Sequence, residues 1–370
     1  MDGGLDVPVV EEESGGEDDK PYTDIPIPAD IQTLADALVW ISGNAEADGA
    51  YTVTVKAGET IPAQSLSYDG KRVSVTLKGD TAGREVSLSD GGSLFTVESG
   101  VTLNVENLTL KGRGNIESFA NGSALVRVRS GGALRLKAGA VITGNYTTTN
   151  HGGGVKVEEN AEFTMEGGTI SGNTSGIGGG VGVDKGTFTM KGGEISGNTA
   201  TEWGGGGVQV FLSNDGRAAG LSGNGSFTME GGTISNNTAK GGGGVEAGGS
   251  FTLKGGTISD NIAQDGDADG GGVKVGTDST YTMENGTISG NTAQEHSGGG
   301  VWVDGGSTFT KTGGTIYGDD DNTHTPDSDE NTSLNGQGHA VGFNNEKKRD
   351  ATLDSTHNIS TGDPVTNWDN

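Results

Sequence analysis

The chain has 370 residues, of which 72 are Gly, 30% are hydrophobic and 5% aromatic; it carries no Cys and a formal net charge of −27. This composition excludes a thick two-layer core, disulfide or thiolate–metal stabilisation, and the basic stripe that nucleic acid requires. No apolar run is long enough to span a bilayer.

Residues 1–24 hold nine acids against one Lys and read as a disordered acidic tether. A tether ahead of a folded body has the form of a mature surface lipoprotein stripped of its leader and lipidated cysteine, so a lost lipid anchor is an expectation. Residues 25–50 are expected to form an N-terminal cap. Within them, 30–42 reads as an amphipathic helix with Asp30 as N-cap, an apolar face of Ile31, Leu34, Leu38 and Ile41, and Gly43 just past its end.

From residue 51 to 316 the chain is expected to be a solenoid. Segments 51–55, 73–77 and 94–97 read as strands, followed by two loose repeats around Leu103–Leu110 and Leu134–Asn145. The repeat then becomes explicit as FTMEGGTISGN, FTMKGGEISGN, FTMEGGTISNN, FTLKGGTISDN, YTMENGTISGN and FTKTGGTIYGD, starting at Phe163, Phe188, Phe227, Phe251, Tyr281 and Phe309. A second block, GGGVxV, recurs out of phase at Val155, Val181, Val208, Val245 (as GGGVEA), Val273 and Val301. Each period therefore holds three short strands separated by Gly or Asn turns. The fold class is all-β: a right-handed parallel β-helix of three strands per coil and about eight or nine coils.

Strand alternation points the aromatic and Met of FTM, the Ile of TIS and both Val of GVxV inward. A single coil buries too few apolar groups to offset its ordering entropy, so stacking is obligatory. Asn173, Asn198, Asn237, Asn261 and Asn291 fall at one turn position and predict an asparagine ladder along the axis, at a turn where Asn tolerates left-handed geometry. The residue after the Met alternates in sign, as Lys137, Glu166, Lys191, Glu230, Lys254 and Glu284, which penalises slipped coils. Residues 317–370, with eleven acids against three bases, are expected to form an acidic loop and the C-terminal cap.

Several residues are candidates for chemistry. Residues 211–226 form an insertion between coils that contains Asp215 and Arg217, and loops on a rigid scaffold are where recognition resides. Trp203 lies in a turn, and Trp302 on an outward strand position could stack on a sugar ring. Asp265, Asp267 and Asp269 have the DxDxDG spacing that wraps oxygen ligands around Ca²⁺, although Gly276 stands where an acidic twelfth ligand is usual. The outward row of the third strand, Lys156, Gly182, Gln209, Glu246, Lys274 and Trp302, carries no acid cluster of the kind that glycoside chemistry needs. No catalytic residue and no resident cofactor are therefore expected.

The phrases GGTISGNTA, GGEISGNTA and GGTISNNTA resemble repeats in surface β-helix proteins of spirochaetes and gut-associated bacteria. They are also similar to the GGxI and FxxN repeats of chlamydial polymorphic outer-membrane proteins, matching the first motif at Gly168, Gly193, Gly232 and Gly256, with Ile in place of Phe in the second, as at Ile195. The resemblance covers about residues 100–320 and implies a bacterial cell-surface or secreted protein. The functional expectation is a non-enzymatic, adhesin-like or structural protein that binds host or matrix glycans or proteins and no nucleic acid. The alternatives are a polysaccharide lyase or hydrolase, and an ice-binding protein acting through its outward Thr rows.

Overall fold

A computed structural model of the chain describes residues 21–114, 122–148, 151–211, 225–265, 269–295, 298–317, 330–333 and 340–343. They form a parallel β-helix. Sheet 1 contains the FTM strands, among them Glu162–Met165, Thr187–Met190 and Ser226–Met229; sheet 2 the TIS strands, such as Thr233–Ser235; and sheet 3 the GVxV strands, such as Val208–Val210. All pairings are parallel, and like residues stack on like: Phe163 on Phe188, Phe188 on Phe227, Ile195 on Ile234, Val208 on Val245.

Two features differ from the sequence-based count. Among the described residues sheets 2 and 3 each contain ten strands, which makes ten rungs where eight or nine were expected. The strands not anticipated lie at the ends: Glu59–Ile61 and Gln64–Leu66 complete the rung that begins with the expected strand at Gly49–Val55, and Thr332–Ser333 and Val341–Phe343 complete the rung of Thr308–Lys311 past Ile316. A fourth, six-stranded sheet, running from Thr174–Ile177 to Thr332–Ser333, is added to the three in the C-terminal part. It forms where the Thr-Ala, Thr-Ser or Ile-Ala that follows the ladder Asn extends the turn into a short strand.

The core is a tube of stacked rows. Phe163, Phe188, Phe227, Phe251, Tyr281 and Phe309 form a continuous column with ring centroids 4.5–4.9 Å apart and planes within 4–7° of parallel. Parallel strand pairing imposes that spacing, which lies within the range of favourable aromatic contact. The adjoining inward row is Met165, Met190, Met229, Leu253 and Met283, and it ends in a fully buried Lys311. Lys311 Nζ donates to the Gly314 carbonyl at 2.8 Å, and burial lowers its pKa below the ordinary lysine range.

The asparagine ladder is present and longer than expected, running Asn145, Asn173, Asn198, Asn237, Asn261, Asn291 and Asn331, all buried. The backbone N–H of each donates to the Oδ1 of the next: Asn173 to Asn198 at 3.1 Å, Asn198 to Asn237 at 3.0 Å, Asn291 to Asn331 at 3.0 Å. From Asn173 to Asn291 the side-chain amide donates to that same oxygen, and it also reaches back to the Ile carbonyl of the preceding rung, as Asn237 Nδ2 to Ile195 O at 2.9 Å. The ladder residues do not themselves take the left-handed backbone. That conformation falls on the residue before each, Gly172, Gly197, Asn236, Asp260 and Gly290, which turns the chain and leaves the ladder amide aimed down the axis.

The helix at the N-terminal mouth is Leu34–Asn44, capped by Thr33 and not Asp30. Thr33 Oγ1 accepts from the Asp36 N–H at 3.1 Å while donating to the Asp36 carboxylate at 2.7 Å. Asp30 sits in a turn closed by Ile31 N–H to Pro28 O, too early to serve. Glu59 adds a carboxylate at 2.8 Å from the Leu34 N–H, at the positive end of the helix dipole. Leu34, Ala37, Leu38 and Ile41 are buried against the first rung, whereas Gly43 lies inside the helix and Ile31 is only partly covered.

Candidate functional site

Two surfaces carry polar side chains in rows: the outer faces of sheets 1 and 2, and the outer face of sheet 3. On sheet 1 the row Thr164, Thr189, Thr228, Thr252, Thr282 and Thr310 is in register along the axis and half-exposed. A second row of Thr187, Ser226, Ser250, Thr280 and Thr308 lies beside it, mostly exposed. Sheet 2 adds Thr233, Thr257, Thr287 and Thr315 with Ser171, Ser196, Ser259 and Ser289. Hydroxyls therefore repeat every ~4.8 Å along a rigid face.

Sheet 3 differs from the reading of its outward row as solvent-facing. Gln209, Glu246 and Lys274 follow one another in register, yet Glu246 is 5% exposed and Lys274 is 3% exposed. The glycine turn that enters each rung folds back over the strand it precedes and roofs this row. Gly205 N–H donates to Gln209 Oε1 at 2.9 Å, and Gly241 packs directly on the Glu246 carboxylate. Any β-carbon at Gly241 would collide there. The last Gly of each GGG run, such as Gly207, stacks against the ladder: its absent Cβ would lie 2.9 Å from Ile234 Cγ2 and 3.1 Å from Asn237 Nδ2. A side chain there would push the ladder and the turn apart.

Under the roof the structure assembles an ionic group that strand alternation does not reveal. Lys274 Nζ lies 3.8 Å from Asp269 Oδ2, next to Glu246 in register, and Asp269 is 7% exposed. Asp269 thus faces an ammonium group. Asp265 sits at the loop's entry with φ of 63°, and Asp267 lies outside the described residues. Among the described residues no group of three His, Cys, Asp or Glu side chains converges as metal ligands would.

Towards the N-terminus the same face has a charge network centred on Glu158, which meets Arg127 at 2.6 Å, Lys156 at 3.5 Å and Arg129 at 3.8 Å. Nearby, burial raises the Asp184 pKa above the usual carboxylate range, and the Lys156 charge partly offsets that rise.

The other candidates are scattered. Trp302 lies on the sheet 3 row beside Lys274, half-covered, its Nε1 donating to Asp304 Oδ1 at 2.9 Å. Trp203 ends the sheet 4 strand Thr199–Trp203, pairs with Ile177 and is 40% exposed. The two indoles belong to rungs three apart, ~14 Å along the axis, and form no common aromatic platform. Asp215 and Arg217 lie outside the described residues. The neck of their insertion is closed by Gly225 N–H to Phe211 O at 3.1 Å, and Val210 and Ser226 on either side keep the register of the stack.

No helix among the described residues is long and apolar enough to cross a membrane. Compared with protein-family models, with curated proteins and with solved structures, the chain gives no match in any of the three.

Proposed function

We propose that the chain is a non-enzymatic β-helix displayed on a bacterial cell surface or secreted, and that it binds extended glycans along the hydroxyl face of sheet 1. The observation that supports this reading is the pair of in-register Thr and Ser rows. They offer donors and acceptors at one spacing on a surface whose backbone is already ordered. The surface location and adhesin-like role rest on the acidic N-terminal segment, the lack of Cys, and the repeat resemblance. Arrays of neutral and acidic glycans and host matrix polysaccharides supply the test. Binding is expected, and the triple variant T228V/T252V/T282V is expected to weaken it at least about tenfold with an unchanged circular dichroism spectrum. Blank arrays at high protein concentration would sink the proposal.

One observation favours a second reading. Glu246, Asp269 and Lys274 are the acid and base types that polysaccharide cleavage uses. Their burial requires the glycine roof to open before substrate enters. New reducing ends from incubated polysaccharides, lost in Glu246→Gln, would rank this reading first.

A further inference from the structure

The corner between sheets 1 and 2 carries a charge row longer than the repeat text suggests. Register adds Lys78 and Glu106 ahead of Lys137, so the sign alternates without a break over Lys78, Glu106, Lys137, Glu166, Lys191, Glu230, Lys254 and Glu284. Each of the last six is fixed by its own backbone N–H, which donates to the carbonyl of the inward residue one rung before, as Glu230 N–H to Met190 O at 2.7 Å. Lys78 and Glu106 pair at 2.7 Å. The six from Lys137 to Glu284 form no ion pair among the described residues, and all but the half-covered Lys137 are exposed. Register alone leaves these six charges reaching into solvent.

The ridge is also sterically open on one side. The positions that follow its four central charges are Gly167, Gly192, Gly231 and Gly255, with Ala138 and Asn285 at the two ends, so along the middle of the ridge no side chain stands between it and an approaching surface.

An alternating row is complementary to itself when reversed; run parallel it is complementary only if shifted by one rung, a contact that does not close into a pair. Rotated by a two-fold axis that passes between neighbouring rungs, every positive position meets a negative one. Aligned in parallel and in register, every charge meets its like. We propose that this ridge is an isologous interface for a second copy of the chain packed antiparallel. With the axis between Lys191 and Glu230, Lys191 faces the partner's Glu230, Glu166 faces the partner's Lys254, and Lys137 faces the partner's Glu284. Two-fold symmetry realises each contact twice, giving six ion pairs over ~24 Å of axis. The rigid rung spacing presents all six pairs at once with no backbone to order, so that the cost left to each is the ordering of its side chains. At ~0.1 M ionic strength, where the Debye length is ~10 Å, the repulsion between two acidic bodies is damped while contact pairs persist.

Sedimentation of the full chain at ~0.1 M and at ~1 M salt tests the interface. A concentration-dependent dimer is expected at the lower salt, with an association constant at least about tenfold smaller at the higher. The all-acidic ridge K137E/K191E/K254E and the all-basic ridge E166K/E230K/E284K are each expected to be monomeric, and their equimolar mixture is expected to form a heterodimer. Should either fail to fold, the variant with all six signs inverted keeps the alternation and is expected to dimerise like the parent. A parent that stays monomeric at both salts, a dimer that survives in the all-acidic variant, or a folded inverted variant that does not dimerise would each overturn the proposal.

Discussion

Asn237 occupies the middle of the ladder, and replacing it with Ala removes four hydrogen bonds at once. Its Oδ1 accepts from the backbone N–H and the Nδ2 of Asn198, both at 3.0 Å, while its Nδ2 donates to Ile195 O at 2.9 Å and Asn261 Oδ1 at 3.0 Å. Asn237 is fully buried, as are Asn198 and Asn261, so water cannot replace the lost partners. The Asn198 N–H becomes a buried orphan, at about 1–3 kcal/mol, and the other three bonds lost are worth about 1 kcal/mol each. With the small void left behind, the expected loss is about 3–5 kcal/mol. Neighbouring Asn236 provides the internal control: it is exposed, with φ of 56°, so Asn236→Gly is expected to change stability by less than about 0.5 kcal/mol. Urea unfolding followed by far-UV circular dichroism compares the two. An Asn237→Ala variant within about 1 kcal/mol of the parent would refute the view that the ladder, beyond the apolar tube, holds the rungs together.

Two further substitutions probe the core. The Tyr281 hydroxyl is buried without a hydrogen-bond partner among the described residues, and burial raises its pKa far above the ordinary phenol value. Tyr281→Phe keeps the ring stack and is expected to stabilise by about 1–2 kcal/mol, read as a higher thermal midpoint; an unchanged or lower midpoint counts against it. Lys311 binds its proton less tightly in the folded protein than in the unfolded chain, because burial lowers its native pKa. The native state therefore gains stability as pH rises from that lowered value towards ~10.4, where unfolded Lys titrates. Lys311→Met, which completes the Met row, is expected to flatten this rise; denaturation series at neutral and alkaline pH measure it, and a slope equal to the parent's refutes it.

Phe163, Met190 and Ile234 were legible in the sequence because two-residue alternation fixes which side chains enter a tube. The ladder was legible for the same reason, yet Asn331 was not. Forty residues separate it from its hydrogen-bonded neighbour Asn291, and the flanking GN-TA text has become EN-TS. The outward row of sheet 3 shows what alternation lacks. It separates inside from outside, whereas burial of Glu246 and Lys274 depends on a turn from the same rung lying across them. The run of glycines before each Val was the available signal: side-chain-free backbone permits that close approach, and Gly241 sits where Glu246 leaves no room for a β-carbon. The pairing of Asp269 with Lys274 is not legible in the sequence, because the two meet only after the chain doubles back.

The alternating ridge also bears on how such a chain changes length. Removing one rung, by deleting a single repeat of 24 or 25 residues, preserves the aromatic column, the ladder and the glycine turns, yet sets two like charges next to each other. Removing two adjacent rungs restores the alternation. Duplication follows the same parity, and an odd number of inserted rungs also swaps the sign met at the far end of the ridge. Growth or shrinkage in steps of two rungs, ~10 Å of axis, is thus the change that disturbs nothing. The solenoid carries in its surface charge a unit of inheritance twice the size of the repeat its core displays.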